Sequence, residues 1–92
     1  MSAGRMAIRV TGDVHGVGYR QFCRDAALRL GLAGYAHNEE DGSVAIVVEG
    51  GDDKVNEFVS FLKDNSPGMS RVDELTVVSR GPATGAAGFK IL

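Results

Sequence analysis

The order of hydrophobic patterns along the 92 residues predicts an α+β fold, in which two helices pack on one face of an antiparallel sheet. Three observations favour this class. Segments that alternate apolar and polar residues predict strands, and two segments with helical spacing predict helices. An Asp-Gly pair between two strand segments predicts a hairpin. The elements follow one another as strand, helix, strand, hairpin, strand, helix and strand, with a short strand appended.

The first predicted strand and helix are separated by a loop that is rich in glycine. Residues 6–12 alternate apolar and polar side chains, which is typical of a half-buried strand. Over residues 21–30 the apolar side chains except Leu28 fall on one face of a helix, and Gly31 is a suitable residue to end it. The segment between them, residues 12–20, holds three glycines within seven positions and is predicted to be a shaped loop.

The second half of the chain repeats the order of strand and helix. Residues 32–37 and 44–49 are predicted strands, and Asp41-Gly42 lies in the turn between them. Asp52 is the predicted N-cap of a second helix. The apolar stripe of that helix is Val55, Phe58, Val59 and Leu62, and the remaining predicted strands are residues 72–78 and 89–91.

These elements together predict the split βαβ arrangement, a ferredoxin-like sandwich with a short C-terminal strand added. One domain over residues 5–92 is expected, preceded by a short tail of residues 1–4. The two helix stripes supply one side of the predicted core. The strand residues that supply the other side are Ile8, Val10, Val44, Ile46, Val48 and Val72.

Composition and charge exclude several classes of protein. Ten Lys and Arg against twelve Asp and Glu give a net charge of −2, which argues against nucleic acid as the main partner. The single cysteine, Cys23, cannot form an internal disulfide and is predicted to be a buried, unreactive thiol. No apolar run approaches the about 20 residues of a membrane span, and the first residues do not resemble a signal peptide. We therefore expect no membrane partner and a cytoplasmic location.

The loop of residues 12–20 is the strongest candidate for a functional site. A loop between a strand and a helix start presents backbone N–H groups to an anion, and Arg20 adds a guanidinium at the same place. The alternative from composition alone is a glycine-rich turn followed by a surface arginine. The loop lacks both the dinucleotide fingerprint and the P-loop ending. His15 and His37 have no carboxylate at a metal-ligand spacing, so a zinc site is not expected.

Two segments of the chain resemble the sequence patterns of the acylphosphatase family. Residues 12–20, Gly-Asp-Val-His-Gly-Val-Gly-Tyr-Arg, resemble the signature G-x-V-Q/H-G-V-x-F/Y-R. Residues 34–44 resemble the G-x-V-x-N-x-x-D-G-x-V stretch of the same family, with Ala36 where valine is usual. His15 stands where glutamine is commoner. The resemblance runs from about residue 6 to residue 92.

This resemblance implies hydrolysis of the carboxyl–phosphate bond of small acyl phosphates to a carboxylate and inorganic phosphate. Arg20 matches the phosphate-binding arginine of the family and Asn38 its water-orienting asparagine. The resemblance also implies that no metal or organic cofactor is used, and a monomer is expected. The backbone amides that match the phosphate cradle belong to Val14, His15, Gly16, Val17, Gly18 and Tyr19.

Two alternatives stay open beside an acylphosphatase. A non-catalytic module of the same fold would bind phosphate or carbamoyl phosphate, but such a binder has no use for Asn38. An RNA-binding domain is disfavoured by the net charge and the six aromatic residues, 7% of the chain.

Several side chains near the candidate loop are expected to have structural roles. The acidic run of residues 39–41 is predicted to be a solvated hairpin tip, and His37 is predicted to lie on the face opposite Asn38. Tyr19 and Tyr35 are predicted to be packing or lining residues, and each hydroxyl is expected to reach a hydrogen-bond partner at the edge.

Overall fold

The structure is a computed structural model that describes residues 2–15, 18–68 and 70–92. It confirms the predicted fold class. The described residues form a five-stranded sheet and two helices. In chain order the elements are β1 (Ala3–Asp13), α1 (Tyr19–Arg29), β2 (Ala33–Asn38), β3 (Val44–Gly51), α2 (Asp52–Asp64), β4 (Arg71–Pro82) and β5 (Phe89–Ile91).

The sheet order is β4-β1-β3-β2-β5, so the first and last of these strands form the two edges. The pairs β1–β4, β1–β3 and β2–β3 are antiparallel, as the sequence predicts. The short strand β5 differs, because it pairs in parallel with β2. The chain reverses after β4 and crosses to the opposite edge of the sheet. Strand β5 therefore runs opposite to β4, in the same direction as β2.

The ends of several elements differ from the sequence prediction. Strand β1 begins at Ala3, which pairs with Gly51, and β4 continues to Pro82, which pairs with Gly4. Glycine and proline carry no alternating side-chain signal, so the pattern misses these backbone pairs. The prediction of Asp52 as N-cap is wrong: Gly51 is the N-cap, and no side chain bonds there. The Asp52 N–H instead donates to the Ser2 carbonyl at 3.0 Å.

The core lies between the two helices and one face of the sheet. The predicted core residues of β1 and β3 and the apolar stripe of α2 are all buried, whereas Val72 near the start of the edge strand β4 is only half-buried. Cys23 is fully buried, as predicted, and its burial raises the pKa of the thiol to about 12. The thiolate that would react is therefore suppressed at neutral pH. Neither helix in the described ranges combines the length and apolar character of a bilayer span.

A buried carboxylate on the other face of the sheet holds the connection between β4 and β5. Glu49 is 5% exposed and accepts hydrogen bonds from the Thr84 hydroxyl at 2.6 Å, the Thr84 N–H and the Ala86 N–H at 3.3 Å. These contacts, above all the Thr84 hydroxyl, lower the pKa of the Glu49 carboxyl. We call them the Glu49 clamp. The clamp fixes the path of residues 83–88 and hence the position of β5.

We predict that Glu49→Gln lowers the free energy of unfolding at pH 7 and flattens its dependence on pH. The folded-state pKa of Glu49 lies below its unfolded value, so the clamp contributes fully above the ordinary glutamate pKa of about 4.3 and is lost as the pH falls below it. Urea unfolding at neutral and acidic pH measures this effect. Glu57→Gln is the control, because its carboxylate is exposed and lies 3.9 Å from Lys54 Nζ. The same pH dependence for wild type and Glu49→Gln would contradict the prediction.

Candidate active site

The loop that the sequence singles out lies between β1 and α1, at the end of the sheet where β1 and β2 finish and β3 begins. Within it, Val14 is buried, His15 is half-buried and Gly18 has a left-handed backbone with φ 75°. Gly16 and Val17, two of the predicted cradle residues, lie outside the described residues. Gly12 allows β1 to approach β4 closely, because a Cβ there would lie 2.1 Å from the Arg71 carbonyl oxygen.

The helix that follows the loop begins without a capping side chain or a negative charge. Its first intrahelical bond runs from the Phe22 N–H to the Gly18 carbonyl at 3.0 Å, so the N–H groups before Phe22 have no partner within the helix. The first turn of α1 contains no acidic residue, whereas the first turn of α2 contains Asp52 and Asp53. The positive end of the α1 dipole is therefore available to an external anion.

Arg20 lies at this helix start and is held by the end of the last strand. Its Nη1 donates to the main-chain oxygen of Leu92 at 2.9 Å. The Leu92 N–H in turn donates to the Ala36 carbonyl, also at 2.9 Å. The Arg20 guanidinium is thereby tied, through Leu92, to strand β2, two residues before Asn38.

Asn38 is the last residue of β2, and its side chain lies on the helix-bearing face of the sheet. Alternation places Asn38 on the same face as Ala36, which is fully buried beneath the helices. Asn38 itself is exposed, because it stands beyond the covered part of the strand. His37 points to the opposite face, as predicted, where its ring stacks on Tyr35. The fold thus brings Arg20 and Asn38 to one end of one face.

A cavity of about 190 Å³ lies at the start of α1. A larger one of about 720 Å³ lies on the opposite face of the sheet, beside Tyr35 and His37. We assign the candidate site to the smaller cavity, because two side chains beside the larger one already contact neighbouring carboxylates: Arg9 pairs with Asp41, and His37 Nε2 lies 3.5 Å from Glu39 Oε1. The smaller cavity is lined by Val14, Gly18, Tyr19, Arg20, Gln21 and Ile91.

The predicted hydrogen bond of the Tyr19 hydroxyl is not formed within the part of the chain that the structure describes. Tyr19 packs in the core as expected, but its buried oxygen has no hydrogen-bond partner among the described residues. Burial raises the pKa of Tyr19, and the nearby Cys23 thiol raises it further without forming a hydrogen bond of normal geometry. Tyr19 therefore stays a neutral packing residue beside the site.

The acidic run at residues 39–41 forms the tip of the β2–β3 hairpin. Asp41 accepts hydrogen bonds from the Ser43 hydroxyl at 2.6 Å and the Ser43 N–H at 2.9 Å, and it pairs with Arg9. The Ser43 contacts are the main reason that the pKa of the Asp41 carboxyl is lowered. Over residues 2–15, 18–68 and 70–92, no group of three His, Cys, Asp or Glu side chains is arranged to hold a metal ion.

Comparison with known proteins identifies the family. The family model named Acylphosphatase matches residues 6–91. The chain belongs to the acylphosphatase family. The acylphosphatase of Thermus thermophilus is 42% identical over 87 residues, which cover 95% of this chain and 97% of that protein. Relatives named acylphosphatase are hydrolases, so the expectation of a hydrolase is confirmed.

Solved structures agree with this assignment of the acylphosphatase fold. The crystal structure of acylphosphatase from Bacillus subtilis matches with a TM-score of 0.90 and 34% identity, covering 97% of this chain and 98% of that one. Full-length HypF, crystallised in a phosphate- and nucleotide-bound form, matches with a TM-score of 0.90 and 30% identity. The match covers 99% of this chain but 12% of HypF, so the same fold also occurs as a small part of a larger protein.

Two groups at this candidate site were not predicted from the sequence. Leu92 contributes only its main-chain oxygen, which leaves no signal in the side-chain pattern. His15 was assigned a role only through its backbone amide, but its ring Nε2 lies 2.9 Å from the Ser43 carbonyl oxygen. The signal in the sequence was an imidazole within a glycine-rich loop.

Proposed function

We propose that this acylphosphatase hydrolyses acyl phosphates to a carboxylate and inorganic phosphate, with no metal or organic cofactor. The observation that carries the proposal is the placement of Arg20 and Asn38 at one end of the sheet, beside an uncapped helix start. On the sequence grounds given above, we also propose a monomeric cytoplasmic enzyme with a single domain over residues 5–92, and no nucleic-acid or membrane partner.

The phosphate group binds, in this proposal, to the backbone amides of the loop and to Arg20. The contact with Leu92 engages Nη1, and the guanidinium keeps further N–H donors for phosphate oxygens. Such charge-assisted bonds are stronger than bonds between neutral groups. The uncapped N–H groups of α1 supply further donors to the same anion. The roles of Gly16 and Val17 in the cradle rest on the family signature.

The reaction needs stabilisation of charge and alignment of water more than it needs acid catalysis. Water attacks phosphorus, the bond from phosphorus to the acyl oxygen breaks, and its electron pair leaves with the carboxylate, while the protons of the water stay with the phosphate product or pass to solvent. Because a carboxylic acid has a pKa of about 4–5, the leaving group departs without a proton. The Asn38 amide does not titrate near neutral pH, but it can accept from one water hydrogen and donate to an oxygen, which orients the attack.

The similarity to HypF supports a second candidate function. A region with this fold in a larger protein that binds phosphate and nucleotide is consistent with a module that binds phosphate or carbamoyl phosphate without hydrolysing it. The position of Asn38 favours the enzyme, because a binding module gains nothing from an amide at the strand end beside the anion site.

The decisive experiment is hydrolysis of acetyl phosphate by the purified protein in the presence of a metal chelator. We expect turnover far above the rate in buffer, and no turnover of an alkyl phosphate monoester. An alkoxide leaving group needs a proton, and the proposed catalytic pair, Arg20 and Asn38, supplies no general acid. A rate equal to buffer for several acyl phosphates would favour the binding module. Complete loss of activity on chelation would contradict metal independence.

Arg20→Ala should weaken the binding of substrate and of inorganic phosphate together, because the same guanidinium contacts both. The expected loss of transition-state stabilisation is about 2–4 kcal/mol. Arg20→Lys should restore little, since an ammonium lacks the planar pair of donors. Calorimetry with phosphate and steady-state kinetics measure these effects. Arg24→Ala, an exposed arginine on the same helix, is the control. Unchanged phosphate affinity in Arg20→Ala would refute the assignment.

Asn38→Ala should lower kcat severely and leave KM and phosphate affinity near those of the wild type, because Asn38 acts on water rather than on bound phosphate. Asn38→Asp is nearly isosteric, but it loses the donor and puts a negative charge beside the phosphate, so KM should rise as well. Rates and denaturant midpoints are measured for both, with Asn56→Ala on α2 as the control. A fully active Asn38→Asp enzyme would show that the water is positioned by another group.

A further inference from the structure

One long-range hydrogen bond joins the candidate loop to the hairpin that carries Asn38. His15 Nε2 lies 2.9 Å from the Ser43 carbonyl oxygen, across 28 positions of sequence. The same oxygen accepts the N–H of Glu39, the residue after Asn38, at 2.8 Å. We call these three groups the Ser43 bridge. Through this single oxygen, the loop and the end of β2 are fixed to a common point.

Ser43 is itself a rigid anchor. The residue is 2% exposed, and both its N–H and its hydroxyl donate to Asp41 Oδ1, at 2.9 and 2.6 Å. Arg9 Nε donates to the Ser43 hydroxyl at 3.2 Å. The backbone around the accepting oxygen is therefore held by several contacts, so the bond to His15 ties the loop to a fixed point of the hairpin.

The chemistry of the bond fixes the state of the His15 ring. A carbonyl oxygen only accepts, so Nε2 must carry the hydrogen. The neutral ring is then the Nε2–H tautomer, which leaves Nδ1 as an acceptor. A side chain with an N–H at similar reach, such as glutamine, can donate to the same oxygen. A methionine of similar shape cannot donate.

We infer that His15 is a positioning residue for acyl phosphate hydrolysis, which sets the phosphate loop at the correct distance from Asn38. The inference rests on the function proposed above. The loop and Arg20 hold the phosphate, and Asn38 holds the water, so in-line attack requires these two units to keep one relative position. The Ser43 bridge is a direct contact that links the two units through one atom.

The matched pair His15→Gln and His15→Met tests the inference. With acetyl phosphate, His15→Met should lower kcat about 10- to 100-fold, the scale expected for a displaced reacting group. The inhibition constant of inorganic phosphate should change less than about threefold, because the phosphate contacts remain. His15→Gln should keep most of the wild-type kcat. Equal rates for the two variants, or a loss of phosphate affinity that matches the loss of kcat, would overturn the inference.

A double variant separates positioning from general damage to the fold. If His15 acts through Asn38, the combined His15→Met and Asn38→Ala variant should be no slower than Asn38→Ala alone. Rate losses that multiply would overturn the inference, since they would show that His15 acts independently of Asn38. Denaturant midpoints of all variants are measured in parallel. If the bond from His15 only stabilised the fold, His15→Met would lower the midpoint, and the double variant would be slower than Asn38→Ala.

The tautomer of His15 provides a readout that does not depend on activity. Long-range ¹H–¹⁵N spectra of the wild-type protein should show the neutral His15 ring with its hydrogen on Nε2, and a hydrogen on Nδ1 would overturn the inference. This measurement tests the bond from His15 to Ser43 even if His15→Met does not fold. An inactive wild type would refute the proposed function. An active wild type with a slow Asn38→Ala variant and a fast His15→Met variant would refute the role of His15 alone.

Discussion

The addition of β5 to the edge of β2 is the constraint on which the site depends. This short parallel pairing puts the Leu92 N–H on the Ala36 carbonyl and the Leu92 oxygen within reach of Arg20. In the proposed role of Arg20, a guanidinium on a long, flexible stem would otherwise lose conformational entropy on binding phosphate. Because Leu92 orders it beforehand, Arg20 is held close to the strand that ends at Asn38.

The Glu49 clamp extends this dependence to the other face of the sheet. The connection between β4 and β5 must cross from one edge of the sheet to the other, and a buried carboxylate receives its hydroxyl and amide donors. A buried charge of this kind is tolerated because its oxygens are hydrogen-bonded. The position of Arg20 thus depends on a chain of contacts that begins on the face without the site.

The two helices differ in the charges that lie at their first turns. Helix α2 carries Asp52 and Asp53 in its first turn, so its own carboxylates neutralise its dipole. Helix α1 has neither an acidic residue nor a capping side chain there, and Arg20 adds positive charge. A protein of net charge −2 therefore concentrates positive potential at one helix start. For an anionic substrate with a stable leaving group, that potential and an aligned water are the main requirements.

The sequence by itself determined the helices, most of each strand, the hairpin at Asp41-Gly42 and the loop that leads to Arg20. These features depend on local periods of hydrophobicity and on glycine at particular positions, which are properties of neighbouring residues. Asn38 and Arg20 were also predicted as site residues from the sequence, through segments that resemble family patterns, and their roles stay predictions. Only the tertiary structure decided the parallel pairing of β5, the bond from His15 to Ser43, and, within residues 2–15, 18–68 and 70–92, the absence of a partner for the Tyr19 hydroxyl. Each of these depends on which distant residues meet in space, and side-chain patterns along the chain do not encode the partners of a strand edge or of a single polar atom.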